Sequence, residues 1–254
     1  MTDSAQHQGY RPAIYGAYVS QKTKYSGLTH NETEYRQWAM AARHRLKGWF
    51  PIDRSIPVLD MGCGAGHFLY LLDRLGYTNL TGVDVSAEQV TLARQACPRA
   101  TIIHGDVREV LGSNPGRFGL IAGFDIIEHF RKDEILPLLA LVAQGLRLGG
   151  RLILQTPNAE SPWMGSVAYG DFTHEWFFTP GSLYNMLRQV GLIGFEARPC
   201  GPYIHGLKSF ARAMLWRFLN LLLTLGCLAE TGTRGSSWGS SIYTRVFVAT
   251  AIKG

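Results

Sequence analysis

The chain has 254 residues, is 46% hydrophobic and carries a formal net charge of +6. This suits one α/β domain with decorations and does not require two full domains. The basic balance, with a pI near 9.2, is compatible with nucleic acid, a membrane surface or a phosphate-bearing substrate without choosing among them. Cys63, Cys97, Cys200 and Cys227 are scattered and form no C-x-x-C pair, so neither a zinc site nor a disulfide framework is expected.

Residues 1–26 are rich in Gln, Ser, Gly and Tyr and read as irregular. They contain no apolar run of the kind a secretory signal needs. Residues 30–50 read as a helix. Asn31 is placed to cap it, Glu32 and Glu34 fall in its first turn, and Tyr35, Trp38, Ala39, Ala42 and Leu46 recur at helical spacing. Pro51 stops it.

A buried strand is expected over Ile56–Met61, running into a turn with Gly62, Gly64 and Gly66 and then a helix to Leu75. Such a turn lets main chain approach a ligand, and the helix N-terminus offers unpaired N–H groups. The spacing is G-x-G-x-G, which differs from the G-x-G-x-x-G of dinucleotide folds.

The later elements alternate. Strands are expected at 79–84, 100–104, 118–123, 152–156 and 193–198, with a last one at 241–252. Helices are expected at 87–96, capped by Ser86 with Gln89 completing a capping box, at 133–147, and at 180–190, capped by Thr179. Leu148-Gly-Gly-Arg151 reads as a turn into the fifth strand. This rhythm predicts a mostly parallel sheet with helices on both faces.

With Asp60 two residues before Gly62, Asp84 at the end of the second strand, Asp106 after the third and the Leu-x-x-Gly-Gly turn, residues 56–198 resemble the class I S-adenosylmethionine-dependent methyltransferases. The resemblance implies a Rossmann-like seven-stranded sheet in the order 3-2-1-4-5-7-6, with the last strand antiparallel. It implies S-adenosylmethionine as cofactor, with S-adenosylhomocysteine as product. The contacts it implies are Asp60, Gly62, Cys63, Gly64, Gly66, Asp84, Val85, Asp106, Val107 and Asp125. Asp84 would take both ribose hydroxyls and Asp106 the adenine amino group. Residues 1–50 would form an N-terminal segment with a cap helix, and 51–254 the methyltransferase domain. Phe118-Gly119 departs from the Phe-Asp common in relatives, and no loss of activity is expected from it.

Several stretches outside the shared core resemble a narrower group, the methyltransferases of bacterial capsule and lipopolysaccharide gene sets. They are Thr156–Pro162, Tyr169–Glu175, Phe178–Pro180, His205–Ser209 and Glu230–Gly232. That resemblance implies a sugar hydroxyl, borne on a sugar or lipid-linked glycan, as methyl acceptor. Two rivals stand beside it: a small-molecule O-methyltransferase of the quinone-pathway type, and a non-catalytic scaffold that keeps the fold. A nucleic-acid partner is not expected, because no dense Lys/Arg patch interleaved with aromatics stands out.

Ligands of open α/β sheets bind beyond the carboxyl ends of the strands. The residues expected there are Asp125, Glu128, His129, Asp171, His174 and Glu175. Methyl transfer to a hydroxyl needs in-line placement and a base for its proton, and histidine suits that role. His129 and His174 are both candidates, with Glu128 beside them. His174 lies in the connection 157–179, expected to form a lid with Tyr169, Phe172, Trp176 and Phe177 around it. If a helix began at Asp125, then Asp125, Glu128 and His129 would share a face able to hold Mg²⁺. The same Glu-His pair occurs in metal-free relatives, so Mg²⁺ is an alternative that is not favoured.

Forty or so residues, 199–241, are inserted before the last strand. Residues 207–228 read as a basic amphipathic helix, about 33 Å long. Lys208, Ser209, Arg212, Arg217, Asn220 and Thr224 fall in one half. Phe210, Met214, Phe218, Leu221, Leu222 and Leu225 fall in the other. Three cations argue against a bilayer span. The helix is expected on a membrane surface, against the domain body or in a homodimer interface. The Gly/Ser/Thr-rich stretch 232–241 reads as a loop. The expected location is the cytoplasm, at its membrane face if the helix meets lipid.

Overall fold

The computed structural model describes Ile14, residues 30–232 and residues 240–254. The expectations for residues 1–26, Ile14 aside, and for 233–239 lie outside the described residues. Seven strands form one sheet: β1 (Val58–Met61), β2 (Leu80–Asp84), β3 (Thr101–His104), β4 (Phe118–Phe124), β5 (Leu146–Pro157), β6 (Leu192–Pro199) and β7 (Val246–Lys253). Their order is β3-β2-β1-β4-β5-β7-β6. β1 to β5 pair in parallel, and β7 runs antiparallel to both β5 and β6. The fold is the Rossmann-like sheet expected, in the expected order.

Among the described residues these α-helices surround it: α1 (Glu32–Arg45), α2 (His67–Arg74), α3 (Ala87–Ala96), α4 (Val107–Gly112), α5 (Lys132–Gly145), α6 (Met164–Ala168), α7 (Pro180–Gln189) and α8 (Leu207–Thr231). Successive strand residues point to opposite faces. Val58, Leu120 and Ile153 therefore join a core with α1, α2 and α3. Leu59, Ile121 and Leu152 join a second core with α4, α5 and α7. The central strands are covered on both sides, which is why they read as continuous apolar runs.

Local chemistry sets most boundaries. Asn31 caps α1 by accepting from Glu34 N at 3.0 Å, and Thr179 and Ser182 cap α7 reciprocally. Gln89 does not complete a capping box. Ser86 accepts from Gln89 N, but the Gln89 Oε1 is buried without a hydrogen-bond partner among the described residues. The first helix ends at Arg45, and turns carry the chain to residue 50.

The expected turn at 148–151 is a bulge inside β5. The strand begins at Leu146, and its register with β4 shifts between Phe118 and Leu120. Residues 241–245 do not extend the last strand. Ser241 has a positive φ of 59°, and the Asn158 amide donates to the carbonyls of Ile242 and Thr244 at 2.6 and 2.9 Å. Gly119 also has a packing reason: a Cβ there would meet Ile56 at 3.0 Å.

Candidate active site

The register puts the ends of β1 to β5 side by side: Met61 opposite Val83 and Gly123, Asp84 opposite His104, Phe124 opposite Gln155. Every loop that follows these strands opens on one edge of the sheet. The glycine turn leaves β1 there. Gly62 and Gly66 have φ of 61° and 87°, and a Cβ on Gly62 would lie 2.7 Å from the Ile126 side chain. Both the backbone conformation and the packing therefore require glycine at that position.

Asp84 holds this turn in place. One carboxylate oxygen accepts from Gly64 N and the other from Ser86 N, each at 2.9 Å. Each oxygen has a second lone pair for a ribose hydroxyl. Asp60 is 2% exposed, at the heart of the sheet edge. Burial and the nearby Asp84 charge raise its carboxyl well above the usual range. Burial raises Asp84 as well, opposed by the two backbone hydrogen bonds and His104. A buried carboxyl whose ionisation is opposed by a neighbouring negative charge is stabilised in its charged form by a cation.

Not every expected contact points into the cleft. The Cys63 side chain is buried and packs in the first core, and burial pushes its thiol up. Val107 is buried in the second core. Only the main chain of these two residues is placed to meet a ligand. Val85 is exposed, and its carbonyl lies 3.0 Å from His104 Nε2. Asp106 caps α4 by accepting from Arg108 N at 2.8 Å. Its carboxylate is also engaged by the Arg108 guanidinium, a partner the sequence reading missed. An adenine amino group at Asp106 requires Arg108 to turn toward Glu134, 3.5 Å away.

α1 closes one side. The Tyr35 hydroxyl donates to the Ala65 carbonyl inside the glycine turn at 2.7 Å, and Trp38 packs edge-on against Phe124. The cap helix is thus fastened directly to the turn it covers.

Asp125 follows β4 with a φ of 53°, a left-handed conformation that aspartate tolerates better than most side chains. Gln155 Nε2 donates to its carboxylate at 2.9 Å. No helix begins at Asp125. A single turn of 3₁₀ helix spans Ile127–His129 instead, and the expected Asp125-Glu128-His129 face does not form. Glu128, His129 and His174 come together, with donor atoms within 4.8 Å of one another.

The two histidines have defined tautomers. His174 Nδ1 faces the Val167 carbonyl at 3.0 Å. A carbonyl only accepts, so Nδ1 carries the hydrogen and Nε2 the basic lone pair. His129 Nδ1 lies 2.9 Å from Thr173 Oγ. That hydroxyl donates to Asp171 Oδ1 at 2.6 Å, so it accepts from His129, whose Nε2 is again the basic nitrogen. The ring centroids are 4.9 Å apart. Glu128 is buried. Its carboxylate accepts from Thr156 at 3.1 Å, and its carbonyl accepts from Glu175 N and Trp176 N. It ties the 157–179 connection to the strand ends. Of the aromatics expected around His174, Phe177 meets it edge-on, whereas Tyr169 and Phe172 are exposed.

Two imidazoles and one carboxylate do not suit Mg²⁺, which takes oxygen ligands. Gln155, Thr173 and Arg108 are the site-edge partners that the sequence reading did not single out. Each acts through another residue; the Gln155-Asp125 and Thr173-His129 contacts cross the fold, where no spacing rule connects the partners, whereas Arg108 and Asp106 are two residues apart.

A family model described as a methyltransferase domain matches residues 30–194. The chain belongs to this methyltransferase family. The paired Asp60 and Asp84 carboxyls fit the cation and the hydroxyls of S-adenosylmethionine, the cofactor that the sequence resemblance implies. The methyltransferase is 25% identical to a ubiquinone biosynthesis O-methyltransferase of Cereibacter sphaeroides, over 55% of this chain and 61% of the relative. It is 32% identical to a trans-aconitate 2-methyltransferase of an Azoarcus species, over 53% of each. It therefore spans little more than half the length of the curated relatives it matches. Among solved structures, a SAM-dependent methyltransferase of Archaeoglobus fulgidus shares the fold with a TM-score of 0.64. The two chains are 18% identical over 93% of this one and 99% of the other.

The methyltransferase also has a large cleft of about 1120 Å³ beside this edge. Met40 and Ala41 of α1, Trp163, and Leu215, Trp216 and Leu219 of α8 give it apolar walls. Cys200 also lines it, with its Sγ 3.8 Å from Gln155 Oε1. Cys200 thus links the cleft wall to the Gln155-Asp125 pair at the end of β4. α6 joins the two regions: Val167 holds His174, and the adjoining Trp163 lines the cleft.

Proposed function

We propose that this domain transfers the cofactor's methyl group to a hydroxyl of an amphiphilic acceptor whose apolar part lies in the cleft. The observation that carries the reading is the pair of histidines, one past β4 and one past β5, with Nδ1 committed and Nε2 basic. Either Nε2 would accept the proton of the acceptor hydroxyl while its oxygen gained the methyl group and the methyl–sulfur bond broke, leaving the neutral thioether S-adenosylhomocysteine. Thr173 and Asp171 stabilise the imidazolium if His129 is the base, in the way a carboxylate supports a catalytic histidine elsewhere. The cofactor supplies a methyl group on a cationic sulfur. Asp60 and Asp84 hold its polar end, and α1 excludes water.

The apolar walls favour an acceptor such as a prenylated phenol, and the ubiquinone O-methyltransferase relative supports the same class. A hydroxyl on a lipid-linked sugar, in surface-glycan assembly, is the second reading, since its lipid would use the same walls. The test is a methyl-transfer assay with labelled cofactor against prenylated phenols, lipid-linked sugars and their water-soluble head groups. Turnover confined to the tailed compounds is expected. Equal turnover of the bare head groups would overturn the assignment of the cleft.

A further inference from the structure

α8 packs inside out. Its 25 residues make a rod of about 37 Å. The stripe turned to the domain is small and polar: Ser209 and Ala213 are buried, the Trp216 ring lies 5.6 Å from that of Trp163, and Cys227 Sγ accepts from the Tyr243 hydroxyl at 3.3 Å. The opposite arc carries Leu207, Phe210, Phe218, Leu221, Leu222 and Leu225, which are 47–85% exposed. A soluble domain turns such an arc inward.

Charge flanks this arc. Lys208 and Arg212 fall along one side and Arg217 along the other, at 100° per residue. Among the described residues none of the three makes an ion pair. The only carboxylate of α8 is Glu230, in its last turn. By length and composition alone, with a mean hydropathy of 1.3 over its best 18-residue window, α8 would suffice to cross a bilayer. The contacts of Trp216 and Cys227 hold it to the domain instead, and its two arginines fall in its first half.

We propose that the outer arc of α8 docks the domain on an anionic phospholipid surface. The axis lies in the plane of the interface, the leucines and phenylalanines enter the acyl boundary, and Lys208, Arg212 and Arg217 reach lipid phosphates. A second copy of the chain fits less well. Antiparallel pairing of two α8 helices would set Glu230 against Lys208 but face Arg212 with Gly226 and Arg217 with Leu221, neither of which offers a counter-charge. Parallel pairing would stack like charges. A sheet of phosphates supplies a counter-charge to every cation. Leu215, Trp216 and Leu219 also wall the cleft, so docking brings the cleft mouth to the bilayer. That last step rests on the proposed acceptor; the docking does not.

The test is co-sedimentation of the full chain with phosphatidylcholine vesicles, with and without phosphatidylglycerol. Binding that needs phosphatidylglycerol and weakens with salt is expected. Joint Phe210→Ser, Phe218→Ser and Leu222→Ser should lower the partition coefficient by about tenfold or more. Joint Lys208→Gln and Arg217→Gln should reduce the preference for the anionic lipid while leaving the apolar face intact. Both variants are checked for S-adenosylhomocysteine binding, which reports an intact fold. If the wild type never sediments, or the apolar variant sediments like the wild type, the proposal is wrong. A dimer in light scattering that the apolar substitutions dissolve, without vesicle binding, would assign the face to a second copy. Vesicle binding without cofactor binding would leave docking standing and sink the methyltransferase reading alone.

Discussion

Thr173 Oγ lies 2.9 Å from His129 Nδ1 and donates its own hydrogen to Asp171. The direction of that chain fixes the imidazole with Nε2 as the base. Thr173→Val keeps the volume and removes the relay. It should reduce kcat with little change in KM and shift the acid limb of the pH-rate profile. An unshifted profile and a wild-type kcat would remove His129 from proton transfer.

The His174 ring donates to the Val167 carbonyl and packs edge-on against Phe177. Loss of a general base typically costs about 10²–10⁴ in rate. His174→Ala should fall in that range if His174 is the base and close to wild type if His129 is. Parallel kinetics of His129→Ala and His174→Ala decide between them. Cofactor affinity should be unchanged in both, since neither touches the glycine turn.

The cofactor pocket was legible in the sequence because its chemistry is local. Gly62, Gly66 and Asp84 lie within one strand-turn-helix-strand run, and their spacing carries the geometry. The base cluster was legible only in part. His129 and His174 are both candidates there, but Asp125 is grouped with Glu128 and His129 on a helix that does not form. Its positive φ and its bond to Gln155 depend on the register of β4 with β5, which no local pattern encodes. The inverted packing of α8 is hidden for a related reason: the helical wheel shows two faces but not which one the domain accepts.

Asp60 gives a pH dependence. Its folded-state pKa is raised above the unfolded value by burial and by Asp84, so the folded form holds the proton more tightly. That contribution to stability is complete below the ordinary carboxylate range and is lost as pH rises through the raised value. Asp60→Asn should therefore make the cofactor-free protein less sensitive to rising pH and raise Tm at alkaline pH by about 2–4 °C or more. The same change should weaken cofactor binding. Parallel melting curves of the two proteins across pH would expose the error if their difference stayed constant.

Glu128, His129 and His174 offer one carboxylate and two nitrogens. Treatment with EDTA followed by gel filtration should leave methyl transfer unchanged, and added Mg²⁺ should not stimulate it. Loss of turnover restored by Mg²⁺ would reassign the cluster from base to metal site.

Tyr35 fastens the cap helix to the glycine turn. Tyr35→Phe removes a buried hydroxyl and leaves the Ala65 carbonyl without that donor, at a cost of about 1–3 kcal/mol. Cofactor dissociation in stopped flow should quicken, because α1 then opens more readily. An unchanged rate would show that α1 does not gate the pocket.

The most direct measurement is titration calorimetry of S-adenosylhomocysteine into the wild type and Asp84→Ala, repeated in buffers of different ionisation enthalpy. Micromolar binding by the wild type is predicted, with proton release near the raised Asp60 value and an affinity reduced about tenfold or more in Asp84→Ala. Absent binding, or equal binding by the two proteins, would contradict the assignment of this pocket to the cofactor.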